Sequence, residues 1–244
     1  MNNAATNYVF GRKYKSSVIN GLVAYWKLNA NSNATVGGIN GTNTNISFVS
    51  GGIVGNAASF ASGTPSLIDF GDSDLFSFTD GTNDKPFSFS IWVNFGTIAP
   101  ATNYTVFSKQ LSGSAREYFL ALQPSGELWF SLFQYNVTTP VLRARASISG
   151  GFQNDTWYNV IGTYNGNKTS TGLKLYINKI LQATESSSIS GMSNTASPLR
   201  LGVVNTNIQQ FRGKLAELAI FDRVITTSEI NYIYSRGISG QHLF

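Results

Sequence analysis

The chain has 244 residues, of which 42% are hydrophobic, 13% aromatic and only 12% charged, with one histidine and no cysteine. That length suffices for one all-β domain with a full core, while the missing thiols and the lone His242 exclude a disulfide framework, a thiolate metal site and a two-histidine metal centre. The net charge of +5 comes from 17 basic residues that are scattered, so the continuous basic stripe a nucleic-acid partner requires is not there.

Residues 1–19 read as an N-terminal arm. Its stretch "NYVFGRKYKSS" joins the aromatic Tyr8, Phe10 and Tyr14 to the basic Arg12, Lys13 and Lys15. That combination suits docking on another protein chain, and the competing reading is that it packs back on its own domain. The opening "MNNAATNYVFGRKYKSSVIN" lacks the apolar core of a secretory leader, and no run approaches the ~18 apolar residues of a membrane span. The expectation is synthesis in the cytoplasm without a signal peptide and no membrane insertion.

From Gly21 onward the chain is a succession of short β-branched and aromatic segments separated by Gly, Asn, Ser and Pro. They include "GLVAYWKL" (21–28), "FSFSIWVNF" (87–95), "EYFLALQ" (117–123), "ELWFSLFQ" (127–134), "VLRARAS" (141–147), "TWYNVIGTY" (156–164), "LKLYIN" (173–178) and "KLAELAIF" (214–221). Such a series is the pattern of an antiparallel sandwich. In "FSFSIWVNF" the odd positions Phe87 to Phe95 form an apolar face, and Trp92 stands out among Ser88, Ser90 and Asn94 on the other. Arg143 and Arg145 alternate with Leu142, Ala144 and Ala146, as on the solvent side of a strand. After "LYI" the pair Asn178-Lys179 stands where a tight hairpin of type I′ needs positive φ, so either the turn is of another type or Lys179 is strained. One helix is expected, at the end: "TTSEINYIYSRG" has a capping box from Thr226 to Glu229, apolar Ile230, Ile233 and Tyr234, and Gly237 as its stop. This divides the chain into the arm, one domain over residues 20–237, and a tail over 238–244.

Glu217 is the residue that does not fit. Strand alternation puts it with Leu215, Ala219 and Phe221 on a mostly apolar face. It reads as a catalytic acid, a metal ligand or a charge at a sheet edge.

The blocks "GLVAYWKLNANSNATVGGINGT", "GIVGNAASFASGTPSLIDFGD", "FSFSIWVNF", "DTWYNVIGTYNG", "GLKLYINKILQAT", "LRLGVV" and "FRGKLAELAIFDRVITTSEI" occur in an order and spacing that resembles the laminin-G-like, concanavalin A-like jelly-roll domains. The resemblance runs from about residue 21 to 237 and implies an all-β, two-sheet antiparallel jelly-roll sandwich with one short C-terminal helix. Similar domains can hold a calcium ion between aspartates after the first strand and an acid in the penultimate one. Here Asn29 and Ala34 stand where the aspartates are expected, so the resemblance leaves at most a weak calcium site built on Asn29, Asn33 and Glu217. The alternative is that Glu217 hydrogen-bonds the loop 29–38 directly. No cofactor other than that weakly bound calcium is implied.

A glycosidase of the common kind needs two carboxyl groups facing one cleft. With 12 acidic residues and no alternating cluster, the chain does not supply the expected pair, and "DFGDSD" (Asp69, Asp72, Asp74) reads as turn-forming. Trp92, Trp129, Tyr135, Tyr158 and Tyr176 could stack on sugar rings, although most aromatic side chains of a sandwich are core. The function expected is a non-catalytic display or attachment module, a virion structural protein of the capsid-decoration, fibre or tail kind whose jelly roll binds surface glycans. Its partners would be other virion proteins through the arm, and its place the particle surface. The alternatives are a free-standing lectin-like adhesion protein and, last, a glycosidase.

Overall fold

The computed structural model describes residues 17–61, 65–96, 98, 103–111, 115–134, 142–185, 187–204 and 209–244. The arm residues Tyr8, Phe10, Arg12, Lys13, Tyr14 and Lys15, and also Tyr135, lie outside the described residues.

The strands are β1 (Leu22–Trp26), β2 (Thr42–Thr44), β3 (Ile46–Ser50), β4 (Asn56–Phe60), β5 (Leu67–Asp69), β6 (Phe87–Phe95), β7 (Tyr104–Gln110), β8 (Arg116–Leu122), β9 (Leu128–Leu132), β10 (Leu142–Ala146), β11 (Trp157–Tyr164), β12 (Leu173–Ile177), β13 (Ile180–Leu181), β14 (Ala183–Thr184), β15 (Leu199–Leu201) and β16 (Gly213–Phe221). They form two antiparallel sheets. The first has the order β13-β12-β11-β6-β16-β4-β3, with β1 also on β16, and the second the order β14-β10-β9-β8-β7-β15-β5-β2. This is the jelly-roll sandwich the sequence implies.

The core lies between the sheets. Phe87, Phe89, Ile91, Val93 and Phe95 of β6 face Phe107, Leu120 and Phe130 of the second sheet, all buried. Phe89 meets Phe107 and Phe130 edge to face, with ring centroids 4.7 and 4.9 Å apart. Each such ring contributes roughly 1.5–3 kcal/mol by leaving water, and the edge-to-face geometry adds to that.

The other face of the first sheet is closed by the C-terminal helix, Thr227–Ile238. Its capping box forms as the sequence predicts: the Thr226 hydroxyl accepts from the Glu229 amide, and the Glu229 carboxylate accepts from the Thr226 amide. Ser88 ties the preceding turn to β6 by donating to the Arg223 carbonyl and accepting from the Ile225 amide. Gly237 is not the stop. It lies inside the helix, and a side chain there would come within 2.3 Å of the Trp92 ring, so glycine is what lets the helix settle on β6. Trp92, out of place among serines in the sequence, is buried beneath this contact and stacks on Tyr234.

Both ends of the described chain join this layer. Val18 is buried with Phe221, Ile225 and Ile230, and Ser17 donates to Glu229. Leu243 is buried on Tyr25, while Phe244 packs against the Tyr25 ring at 4.9 Å.

Candidate functional site

Glu217 sits at a fault in the strand. Ala216 pairs with Trp92 and Ala219 with Ser90, so β16 spends three residues where β6 spends two. The extra residue is a β-bulge, with Glu217 at φ +56°, a left-handed conformation costing about 1–2 kcal/mol outside glycine. The bulge breaks simple alternation: Leu215, Leu218 and Ile220 point into the core, and Ala216, Ala219 and Phe221 point outward. It also marks where the far edge of β16 changes partner, from β4 at Gly213–Leu215 to β1 at Leu218–Phe221. At that junction the Glu217 amide donates to the Lys27 carbonyl.

The carboxylate is consumed by the fold. Oε2 accepts from the Tyr25 hydroxyl at 2.5 Å and from the Leu243 amide at 3.3 Å, and Oε1 lies 2.7 Å from His242 Nδ1. A carboxylate only accepts, so His242 donates through Nδ1. Burial, reinforced by the charge of Glu217, pushes the Tyr25 hydroxyl far up and keeps it a donor.

This corrects the expectation that Glu217 holds the loop 29–38. That loop is held otherwise: Asn29 Oδ1 accepts from the Asn56 amide, Trp26 donates to the Ile39 carbonyl, and the Ala34 amide donates to Asn40. Asn29, Asn33 and Glu217 share no partner, Asn33 is exposed, and every Glu217 oxygen already has a donor. The donor set does not fit a calcium ion, and among the described residues no three acidic, histidine or cysteine side chains are grouped for a metal.

The candidate sugar-stacking aromatics separate cleanly. Trp92 and Tyr158 are buried, and Trp129 is half-buried under Arg143, whose guanidinium lies 3.8 Å from its ring centre. Glu185 pairs with both Arg143 and Arg145, and Glu127 also reaches Arg145, so two carboxylates balance the two cations on the outward face of β10. Tyr176 borders an open cleft of about 380 Å³ at the end of the first sheet where the helix begins. Thr163, Asn165, Thr171 and Lys174 line one wall, and Thr226 and Thr227 the other. Thr163 is 2% exposed and lines this cleft. Burial raises the Tyr176 hydroxyl, which therefore stays protonated. An aromatic ring beside a hydroxyl, an amide and an ammonium in one cleft can bind a polyhydroxylated ring by stacking and hydrogen bonds. Sequence inspection picks out Tyr176 as an aromatic residue, but Thr163 carries no local signal, since only the loop 223–226 makes its side of the sheet a cleft.

Another feature lies in the second sheet. Lys109 and Glu117 are fully buried and paired at 2.9 Å, and Lys109 also reaches Asp72 at 2.7 Å. Within "DFGDSD", Asp69 does form a turn, accepting from the Gly71 amide, whereas Asp72 is this lysine's second partner.

Comparison with known folds follows from this geometry. The binding domain of Paraclostridial mosquitocidal protein 1 superposes with a TM-score of 0.70 at 15% identity, over 91% of this chain and 52% of that one. The ligand-binding domain of botulinum neurotoxin serotype D, solved in complex with N-acetylneuraminic acid, superposes with a TM-score of 0.68 at 15% identity, again over 91% and 52%. A Trypanosoma rangeli sialidase mutant displaying trans-sialidase activity gives 0.62 at 14% identity, over 91% of this chain and 34% of that one. The chain thus spans about half the length of the two binding domains, and at these identities the likeness is one of fold. No curated protein sequence matches the chain. Residues 70–231, most of the sandwich, match the laminin-G-type family model. The chain belongs to the concanavalin A-like lectin/glucanases superfamily.

Proposed function

We propose that this chain is a non-catalytic glycan-binding module, displayed on a virion or similar particle and attaching it to a surface. The observation that carries the reading is the cleft at Tyr176, where the side chains of Thr163, Asn165, Thr171 and Lys174 and a partly exposed aromatic ring line the same space. The solved structures it resembles include a domain complexed with a sialic acid, which is consistent with a sugar ligand. The non-catalytic part rests on the carboxylates: Glu217, Glu117 and Glu229 are buried and held by other protein groups, and none lines the Tyr176 cleft. For Glu229, burial works against ionisation, but hydrogen bonds from Arg223, Ser17 and Thr226 outweigh it and bring its pKa down to about 2. The arm, with Tyr8, Phe10, Tyr14 and three basic residues, is the tether to the particle in this reading.

The test is a glycan array followed by titration calorimetry of the best binder. Tyr176→Ala and Thr163→Val are expected to weaken binding at least tenfold without shifting the melting temperature by more than a few degrees. Binding indifferent to both substitutions would remove this cleft from the reading, and release of reducing ends from the bound glycan would remove its non-catalytic part. Deleting residues 2–16 should leave the melt cooperative and abolish incorporation into the particle; a truncated chain that still assembles would overturn the tether.

A further inference from the structure

The helix covers the outward face of β6 only in part. Ser88 is tied to the turn before it and Trp92 lies under Gly237, but Asn94, one step further along the same face, is beyond it. Asn94 is 3% exposed, and its Oδ1 is buried without a hydrogen-bond partner. A buried acceptor left unmatched costs about 1–3 kcal/mol, so it is a position awaiting a donor.

Asn94 opens into a cleft of about 230 Å³ shared with Ser59, Asp155, Arg212 and Lys214. Gly213 lets Arg212 and Lys214 flank it, because at φ +142° a side chain there would fall 2.1 Å from the Asn94 carbonyl oxygen. Arg212 Nε is likewise buried without a hydrogen-bond partner, its guanidinium lies 5.9 Å from the centre of the Tyr104 ring, and neither Arg212 nor Lys214 makes an ion pair among the described residues. Asp155 is exposed, so the cleft holds two cations against one carboxylate. Its volume is below the roughly 300–1,000 Å³ of sites for drug-sized ligands, which fits one sugar ring.

The requirements converge on one ligand class. The amide oxygen needs a hydroxyl donor, and the guanidinium and ammonium need an anion; a carboxylate on a hydroxylated ring provides both. We propose that the Asn94 cleft is a second binding site, specific for an acidic monosaccharide unit of the hexuronate type. A ring hydroxyl donates to Asn94 Oδ1, and the carboxylate lies between Arg212 and Lys214. The site shares no lining residue with the Tyr176 cleft and stands or falls separately from it.

The experiment is an amide-resolved NMR titration of the full chain with D-glucuronate, D-glucose and inorganic sulfate at millimolar concentration. Glucuronate should shift the amides of Asn94, Gly96 and Lys214, with an affinity that falls as salt rises. Asn94→Ala and Lys214→Met should each weaken it at least tenfold, and Tyr176→Ala should leave it unchanged. Arg212→Gln provides the same test should Asn94→Ala fail to fold. Sulfate binding as tightly as glucuronate would reduce the site to a bare anion contact and overturn the proposal, as would glucose binding equally well, or no shift at these amides.

Discussion

The two sheets each bury a carboxylate, and they do so by different chemistry. In the second sheet Glu117 is matched by a full positive charge: Lys109 Nζ at 2.9 Å, with the Thr195 amide and hydroxyl on the same oxygen. Its other oxygen is buried without a partner. Burial raises the Glu117 pKa, and the nearby ammonium works against that rise. In the first sheet Glu217 has no ammonium or guanidinium as its hydrogen-bond partner; a phenol, an imidazole and a backbone amide divide its two oxygens among them. The difference teaches where each site draws its stability. Glu117 depends on one ion pair inside the protein, whereas Glu217 depends on the chain end being present, because His242 and Leu243 are two of its three donors.

The sharpest way to break this comparison is to remove the cation. Lys109→Met leaves Glu117 and Asp72 without their ammonium, and denaturant unfolding should show a loss of about 3–5 kcal/mol, as when one partner of a buried pair is removed. Converting both members together, Lys109→Met with Glu117→Leu, should recover much of that loss, because no buried charge is left uncompensated and Asp72, its side chain 44% exposed, is solvated. A double variant as unstable as the single one would show that the hydrogen bonds to Thr195, and not the ion pair, hold the site.

On the first sheet the effect should be smaller and shared. Glu217→Ala should cost about 1–3 kcal/mol by leaving the Tyr25 hydroxyl and His242 Nδ1 without their acceptor, and it should loosen the chain end, seen as faster amide exchange at Leu243. Millimolar calcium or a chelator should leave the melting temperature of the native chain nearly unchanged, since stabilisation follows RT ln(1 + [L]/Kd) and the donor set does not fit the ion. A large drop on chelation would restore the ion site.

The smallest effect concerns a cation that meets neither carboxylate. Asn178 and Lys179 have φ of +48° and +66°, so the hairpin between β12 and β13 is the tight turn that needs positive φ at both positions, and Lys179 is the strained residue. Its Nζ lies 5.3 Å from the centre of the Tyr234 ring, an attraction of about 0.5–1 kcal/mol at an exposed site. Lys179→Gly relieves the left-handed strain and forfeits that contact, and thermal melts should place the net change within about 1 kcal/mol of zero. A larger loss would show that Lys179 helps hold the helix on the sheet.

Alternation and turn residues were enough to read the sandwich, the inward face of β6, the outward Arg143 and Arg145, and the capping box at Thr226, since each depends on neighbours a few residues away. The extent of the helix at Gly237 is not legible locally for the opposite reason: a glycine near a helix end signals a stop, but here its absent side chain accommodates Trp92, 145 positions away. The bulge at Glu217 was likewise hidden, because an inserted residue is recognised only by the register of β16 against β6. The sequence determined which segments are strands and which of their faces are apolar, because hydrophobic burial and backbone propensity act along the chain. Tertiary structure alone decided that Glu217 meets Tyr25 and His242, that Lys109 meets Glu117, and that Asn94 and Thr163 open into clefts. Those outcomes depend on which distant segments a sheet brings together and on where the covering helix ends.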